Sequence, residues 1–121
     1  MNRKELGKKG EELAAAYLIE QKMKILCRNY RCPRGEIDMI AGDGENTIVF
    51  VEVRLRTTSI RGSAEESLTE RKIMRIQKTA AYYLLEQGYK EWPRLRFDLI
   101  AINMEGEKAQ YRWIKNAFST G

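Results

Sequence analysis

The sequence predicts an α/β fold: a three-layer sandwich with a mixed β-sheet flanked by helices, in the order α-β-β-β-α-β-β. Three observations predict it. Residues 47–56, Thr-Ile-Val-Phe-Val-Glu-Val-Arg-Leu-Arg, are rich in β-branched side chains and alternate strictly. Two stretches of helical periodicity lie on either side of a group of three strand-like runs. Turn residues (Pro33 with Gly35, Asp43-Gly44, Gly88, Pro93, Gly106) punctuate the chain, with no repeat, linker or low-complexity stretch between them.

Residues 3–22 form the first predicted helix, with Leu6, Leu13, Ala14, Tyr17 and Leu18 as its apolar positions. Gly7, Glu11, Ala14 and Leu18 fall on one stripe, which brings Glu11 to the buried side and turns Glu12 away. A carboxylate there needs a partner. Glu11 reads equally well as a boundary residue paired with Arg or Lys. Gly7 and Gly10 weaken the helix and suit a close approach by another backbone or a ligand. Residues 23–31 form a first strand, less cleanly patterned, and Cys32-Pro33-Arg34-Gly35 a turn.

In the next strand, residues 35–40, Glu36 and Asp38 are expected on one face and Ile37 and Met39 on the other. Asp43-Gly44 leads by a hairpin into 47–56. There Val49, Val51, Val53 and Leu55 share a greasy face, and Phe50, Glu52, Arg54 and Arg56 share the opposite one. An ordinary half-solvated strand would look similar. Antiparallel pairing, however, puts Asp38 and Glu52 on a common face, flanked by Glu36 and Arg54. Carboxylates gathered in this way repel unless a cation is present.

Residues 54–62 are a basic, hydroxyl-rich loop with Arg54, Arg56 and Arg61, the composition of a phosphate site and equally of a plain surface loop. A capping-box pattern at Ser63 or at Ser67 starts a second helix that runs to about Gln87, with Gly88 ending it. Ile73, Ile76, Ala80, Tyr83 and Leu84 are its core stripe. Arg71, Lys72, Arg75 and Lys78 are a solvated face or the border of the phosphate site. Strands follow at 94–102 and 109–114, and Asn116-Ala117-Phe118 closes the chain.

The 121 residues make a single domain, 1–121. Hydrophobic content of 43% and charge of 32% suit a folded domain. A net charge of +5 favours an anionic partner such as nucleic acid. No apolar run is long enough to span a membrane and the N-terminus lacks a signal-peptide pattern, so a cytoplasmic location is expected. Cys27 and Cys32 fit no common zinc spacing and read as free thiols. With no histidine, Ser-His and Cys-His nucleophiles are excluded.

Gly7-x-x-Gly10-Glu11, Gly35-Glu36-Ile37-Asp38-Met39-Ile40-Ala41, Phe50-Val51-Glu52-Val53-Arg54-x-Arg56, Arg96-Phe97-Asp98 and Asn116-Ala117-Phe118 occur in the order found in the YraN-type family of uncharacterised bacterial proteins. The chain resembles that family over nearly its whole length. The family is in turn similar to the PD-(D/E)xK, restriction-endonuclease-like superfamily, close to the archaeal Holliday-junction resolvases. The resemblance implies a site of Glu11 on a helix, Asp38 on one strand, and Glu52 and Arg54 on the next. It implies Mg2+ or Mn2+ held by Asp38 and Glu52, with Glu36 as a further acid. Phosphate contacts are expected from Arg54, Arg56, Arg61, Lys72 and Arg75.

Two departures stand out: Glu-Ile-Asp replaces Pro-Asp, and Arg54 stands where the superfamily has Lys. Arg stays protonated, so it can bind phosphate but cannot act as a base. Lys72 could supply an amine from the second helix, a site variant known in the superfamily. The expected function is metal-dependent hydrolysis of phosphodiester bonds in DNA, branched DNA included. The alternatives are a catalytically inactive nucleic-acid-binding module of the same fold, and an adaptor whose carboxylates form a structural ion-pair network. The expected partners are nucleic acid, DNA ahead of RNA, and a second copy of the chain in a homodimer, with no membrane association.

Overall fold

Asn2 starts the first helix by accepting the Glu5 N–H on its side chain at 2.8 Å, satisfying one of the donors a helix start leaves open. In the computed structural model, which describes residues 2–57 and 64–119, this helix is α1 (Arg3–Glu20). Lys22, in a left-handed conformation at φ 67°, turns the chain into β1 (Lys24–Cys32). Then come β2 (Gly35–Gly42), β3 (Thr47–Arg56), a 3₁₀ turn (Ala64–Ser67), α2 (Glu70–Glu86), β4 (Arg94–Glu105) and β5 (Lys108–Phe118). The order is the one expected from the sequence.

The five strands form one sheet in the order β1-β2-β3-β4-β5. The first three make an antiparallel meander. β4 then runs parallel to β3 after the α2 crossover, and β5 is antiparallel to β4. A parallel pair in the middle of a sheet needs cover on both faces. Ala14 and Leu18 of α1 cover one face, packing with Met39, Val49, Val51 and Ile100. Ile76, Ala80, Tyr83 and Leu84 of α2 cover the other, packing with Ile37, Ile40, Phe50 and Phe97. Each fully buried apolar side chain contributes about 2 kcal/mol from area removed from water. Helix, sheet, helix are the three layers.

Gly10 lets α1 settle on β3: a Cβ there would lie 3.1 Å from the Cβ of Leu55. Around Gly7 there is open space, so the expected close approach holds at Gly10 alone. Neither expected capping box starts α2. Ser63 lies outside the described residues, and Thr69 is the cap, accepting the Lys72 N–H at 3.3 Å. The last strand runs to Phe118 rather than stopping near 114. A register shift between Phe97 and Leu99, with Asn116 opposite at φ 53°, lets it continue until Phe118 stacks on Phe97 at 4.9 Å.

Candidate active site

Strands β1 and β2 lose their alternation on the same rung. Cys27 and Tyr30, three apart, both pack toward α2, and so do Ile37 and Ile40. Met39 packs toward α1. Ile37 and Met39, expected on one face, therefore lie on opposite faces. Asn29 sits at the break, in a left-handed conformation at φ 53°, between the pairs Arg28–Met39 and Tyr30–Ile37. Asparagine tolerates that conformation better than most residues. The irregularity leaves Glu36 and Asp38 between two clefts, lining both.

The first cleft, about 500 Å³, brings together Glu36, Asp38, Glu52, Arg54, Lys72 and Arg75. The β2–β3 ladder runs up to Met39–Val51. Beyond it the Val53 N–H donates to Asp38 Oδ2 at 2.8 Å. Glu52 is only 8% exposed, and its Oε1 is buried with no hydrogen-bond partner. Arg54 points Nη1 among three oxygens: it donates to the Val53 carbonyl at 3.0 Å and lies 3.5 Å from Glu52 Oε2 and 3.9 Å from Asp38 Oδ2. Its Nε donates to Ser67 Oγ at 3.0 Å. Ser67 thus serves Arg54 rather than a helix cap. Its own hydroxyl donates to the Ala64 carbonyl at 2.6 Å.

Burial pushes the Glu52 carboxyl up to about 8; the Asp38 charge adds to the rise and Arg54 opposes it. Burial also raises Asp38, against the pull of the Val53 N–H and Arg54. Burial and a neighbouring carboxylate both disfavour the charged form in this way. Glu11 is raised too, by burial first and then by Asp38, while Asn29 and Arg28 pull it down.

Glu11 opens on the second cleft, about 610 Å³, where Asn29 Nδ2 donates to its Oε2 at 2.7 Å. It is half-buried and Glu12 is exposed, as the helical stripe predicts. Its neighbours there include Arg3, Lys4, Lys8 and Arg28, basic residues that the sequence reading did not assign to nucleic acid. The signal for the first three was their clustering in one turn and a half of α1. For Asn29 there was none beyond its residue type. Glu36 is exposed and pairs with Arg31 at 3.4 Å. Arg56 closes β3 half-buried, and its charge helps to lower Glu65. Arg61 lies outside the described residues.

Among the described residues, no three His, Cys, Asp or Glu side chains gather closely enough to hold a metal by themselves. The oxygens around Arg54 Nη1 are instead two carboxylates and a backbone carbonyl. These are hard donors of the type Mg2+ and Mn2+ take, and the unpartnered Glu52 Oε1 is available beside them. In donor chemistry these residues fit such an ion, and Asp38 and Glu52 are the side chains that would hold it.

Asp98 is a different kind of buried carboxylate. It accepts from Arg96 Nε at 3.0 Å and Nη2 at 3.0 Å, Trp113 Nε1 at 2.8 Å and the Asn116 N–H at 3.0 Å. Its oxygens are satisfied, so it is a clamp joining β4 to β5. That clamp accounts for the Arg96-Phe97-Asp98 and Asn116-Ala117-Phe118 motifs.

Comparison with known proteins adds the lineage. The uncharacterised protein family UPF0102 matches residues 10–102, a span that holds Glu11, Asp38, Glu52 and Arg54. A UPF0102 protein of Desulfitobacterium hafniense (strain DSM 10664 / DCB-2) is 50% identical over 94% of this chain and 96% of its own. UPF0102 proteins of Pelotomaculum thermopropionicum and Moorella thermoacetica are 45% and 43% identical, the first over 96% of this chain and 97% of its own, the second over 98% of each. The chain belongs to the uncharacterised protein family UPF0102, the YraN-type family its motifs resemble.

Proposed function

We propose that this protein is a metal-dependent nuclease that hydrolyses phosphodiester bonds in DNA, branched DNA included. One observation carries the reading. Asp38 and Glu52, the latter with a buried oxygen that has no partner, share a cleft with Arg54, Lys72 and Arg75. A surface that only attracted phosphate would gain nothing from two carboxylates among its cations. A site that must hold a divalent ion against a phosphate needs both. A bound Mg2+ or Mn2+ supplies an activated water and counter-charge for the scissile phosphate. Asp38 and Glu52 hold it, Arg54 and Lys72 grip the phosphate, and Glu11 at the neighbouring cleft orients water.

The alternative, a binding module without catalysis, is favoured by one feature: Arg54 Nη1 already supplies positive charge to these oxygens. Purified protein with Mn2+ or Mg2+, offered single-stranded, duplex, flap and four-way DNA, separates the two. Cleavage that Asp38→Asn abolishes supports the nuclease. Binding of all four substrates without cleavage in either metal supports the module. Mn2+ at a hundredfold excess over Kd should also stabilise wild type by about 2.7 kcal/mol, read as a rise in melting temperature, and Asp38→Asn should cancel that gain.

A further inference from the structure

We propose that the Arg54 guanidinium and a divalent cation are alternative occupants of one oxygen cage, and that Ser67 is the latch holding the guanidinium in it. The proposal rests on the nuclease reading only in taking this cleft to be where a divalent ion acts.

The cage consists of the Val53 carbonyl, Glu52 Oε2 and Asp38 Oδ2, at 3.0, 3.5 and 3.9 Å from a single nitrogen, Arg54 Nη1. One hydrogen bond and two looser ion-pair contacts satisfy it incompletely, since Glu52 Oε1 stays buried and unpartnered beside them. A side chain as long as arginine could reach many places. This one is held on the other side of its guanidinium, where Nε donates to Ser67 Oγ at 3.0 Å. Ser67 is itself fixed. Its hydroxyl donates to the Ala64 carbonyl at 2.6 Å, Ala64 is buried, and Glu65 of the same turn is gripped by Arg112 of β5 at 2.7 and 3.2 Å. The 3₁₀ turn is thus anchored to β5, and Arg54 is tied to it.

A guanidinium and a divalent ion cannot share these oxygens. Like charges a few ångströms apart, in a pocket drier than water, repel strongly. An entering ion must displace Arg54 from the cage, and because Nη1 and Nε belong to one planar group, that movement also disturbs the bond to Ser67. Lys72 and Arg75 line the same cleft, so a phosphate drawn in by them offers the guanidinium a two-pronged acceptor in place of the oxygens it gives up. Ion and phosphate then favour each other, and the coupling is reciprocal. Without phosphate, Arg54 competes with the metal for the cage and weakens its binding. On this account the Arg at position 54 makes metal loading depend on substrate.

Mn2+ alone is the probe, with its binding followed by loss of the free-ion electron paramagnetic resonance signal and by titration calorimetry. Arg54→Ala should bind Mn2+ about tenfold more tightly than wild type, the competitor being gone. Ser67→Ala, which leaves Arg54 in place but unties it, should tighten binding by about threefold. A backbone-phosphate oligonucleotide should tighten Mn2+ binding by wild type and not by Arg54→Ala. Folded Arg54→Ala that binds Mn2+ no better than wild type overturns the proposal. If that variant does not fold, unchanged affinity in Ser67→Ala overturns it. The two readings fail separately. Tighter Mn2+ binding in the variants with no cleavage by wild type leaves the exchange intact and removes the nuclease. Cleavage by wild type with unchanged Mn2+ affinities does the reverse.

Discussion

Glu52 carries a carboxyl group into a place where charge is costly, and its titration makes that cost measurable. Its ordinary value of 4.5 is raised to about 8 in the folded protein. Between those values the folded chain holds a proton that the unfolded chain has released. Stability therefore falls as pH rises through that window. Asp38, also raised, acts in the same direction. Melting temperatures measured in chelator from pH 4.5 to 8.5 should decline, and Glu52→Gln should flatten the decline and be the more stable protein at the alkaline end. A wild-type curve that rises over this range would contradict the buried, repelling pair. Asn29 allows a second residue-scale test. Asn29→Gly keeps the left-handed backbone and loses only the bond to Glu11, whereas Asn29→Ala loses both. Urea unfolding should place alanine about 1 kcal/mol below glycine.

At the scale of elements, two glycines that look alike in the sequence should respond in opposite ways. Gly7 is inside α1 with open space where a Cβ would go, so Gly7→Ala should stabilise by about 0.5–1 kcal/mol. Gly35 starts β2 at φ 149°, and a Cβ there would come within 2.9 Å of Arg75 Cγ and Thr79 Oγ1. Gly35→Ala should cost about 1–3 kcal/mol and disturb the cleft floor; chemical denaturation checks both. Which elements exist was legible because the rules behind them are local. The β-branched alternation of β3, the hairpin turn at Asp43-Gly44 and the apolar stripe of α2 each need only near neighbours in the chain. The half-buried position of Glu11 on its helical stripe was legible for the same reason. The pairing of Glu36 with Arg31 and the continuation of β5 past 114 were not legible. Both depend on irregularities at Asn29 and Asn116, where one left-handed residue overturns the alternation rule. Ser67 misled because a hydroxyl three residues before a Glu reads as a cap when α2 is considered alone. Its partner, Arg54, comes from another strand.

Over the whole molecule, basic side chains line both of the clefts that Asp38 borders: Arg54, Lys72 and Arg75 in one, Arg3, Lys4, Lys8 and Arg28 in the other, with Arg31 on both. A nucleic acid lying across both clefts would touch both groups. Neutralising Arg3, Lys4 and Lys8 together should then flatten the salt dependence of DNA binding as neutralising Lys72 and Arg75 does, by about 0.9 in the log–log slope for each phosphate left without its cation. A slope altered by the second set alone would confine the ligand to the first cleft. The sheet also carries its own gauge of the site. Along most of β3 a backbone N–H meets a backbone carbonyl, whose charge never changes, but the Val53 N–H meets the Asp38 carboxylate. Its deuterium exchange and its proton chemical shift therefore follow whatever neutralises that carboxylate. A single amide in the middle of the sheet can report, without any label, when the site has filled.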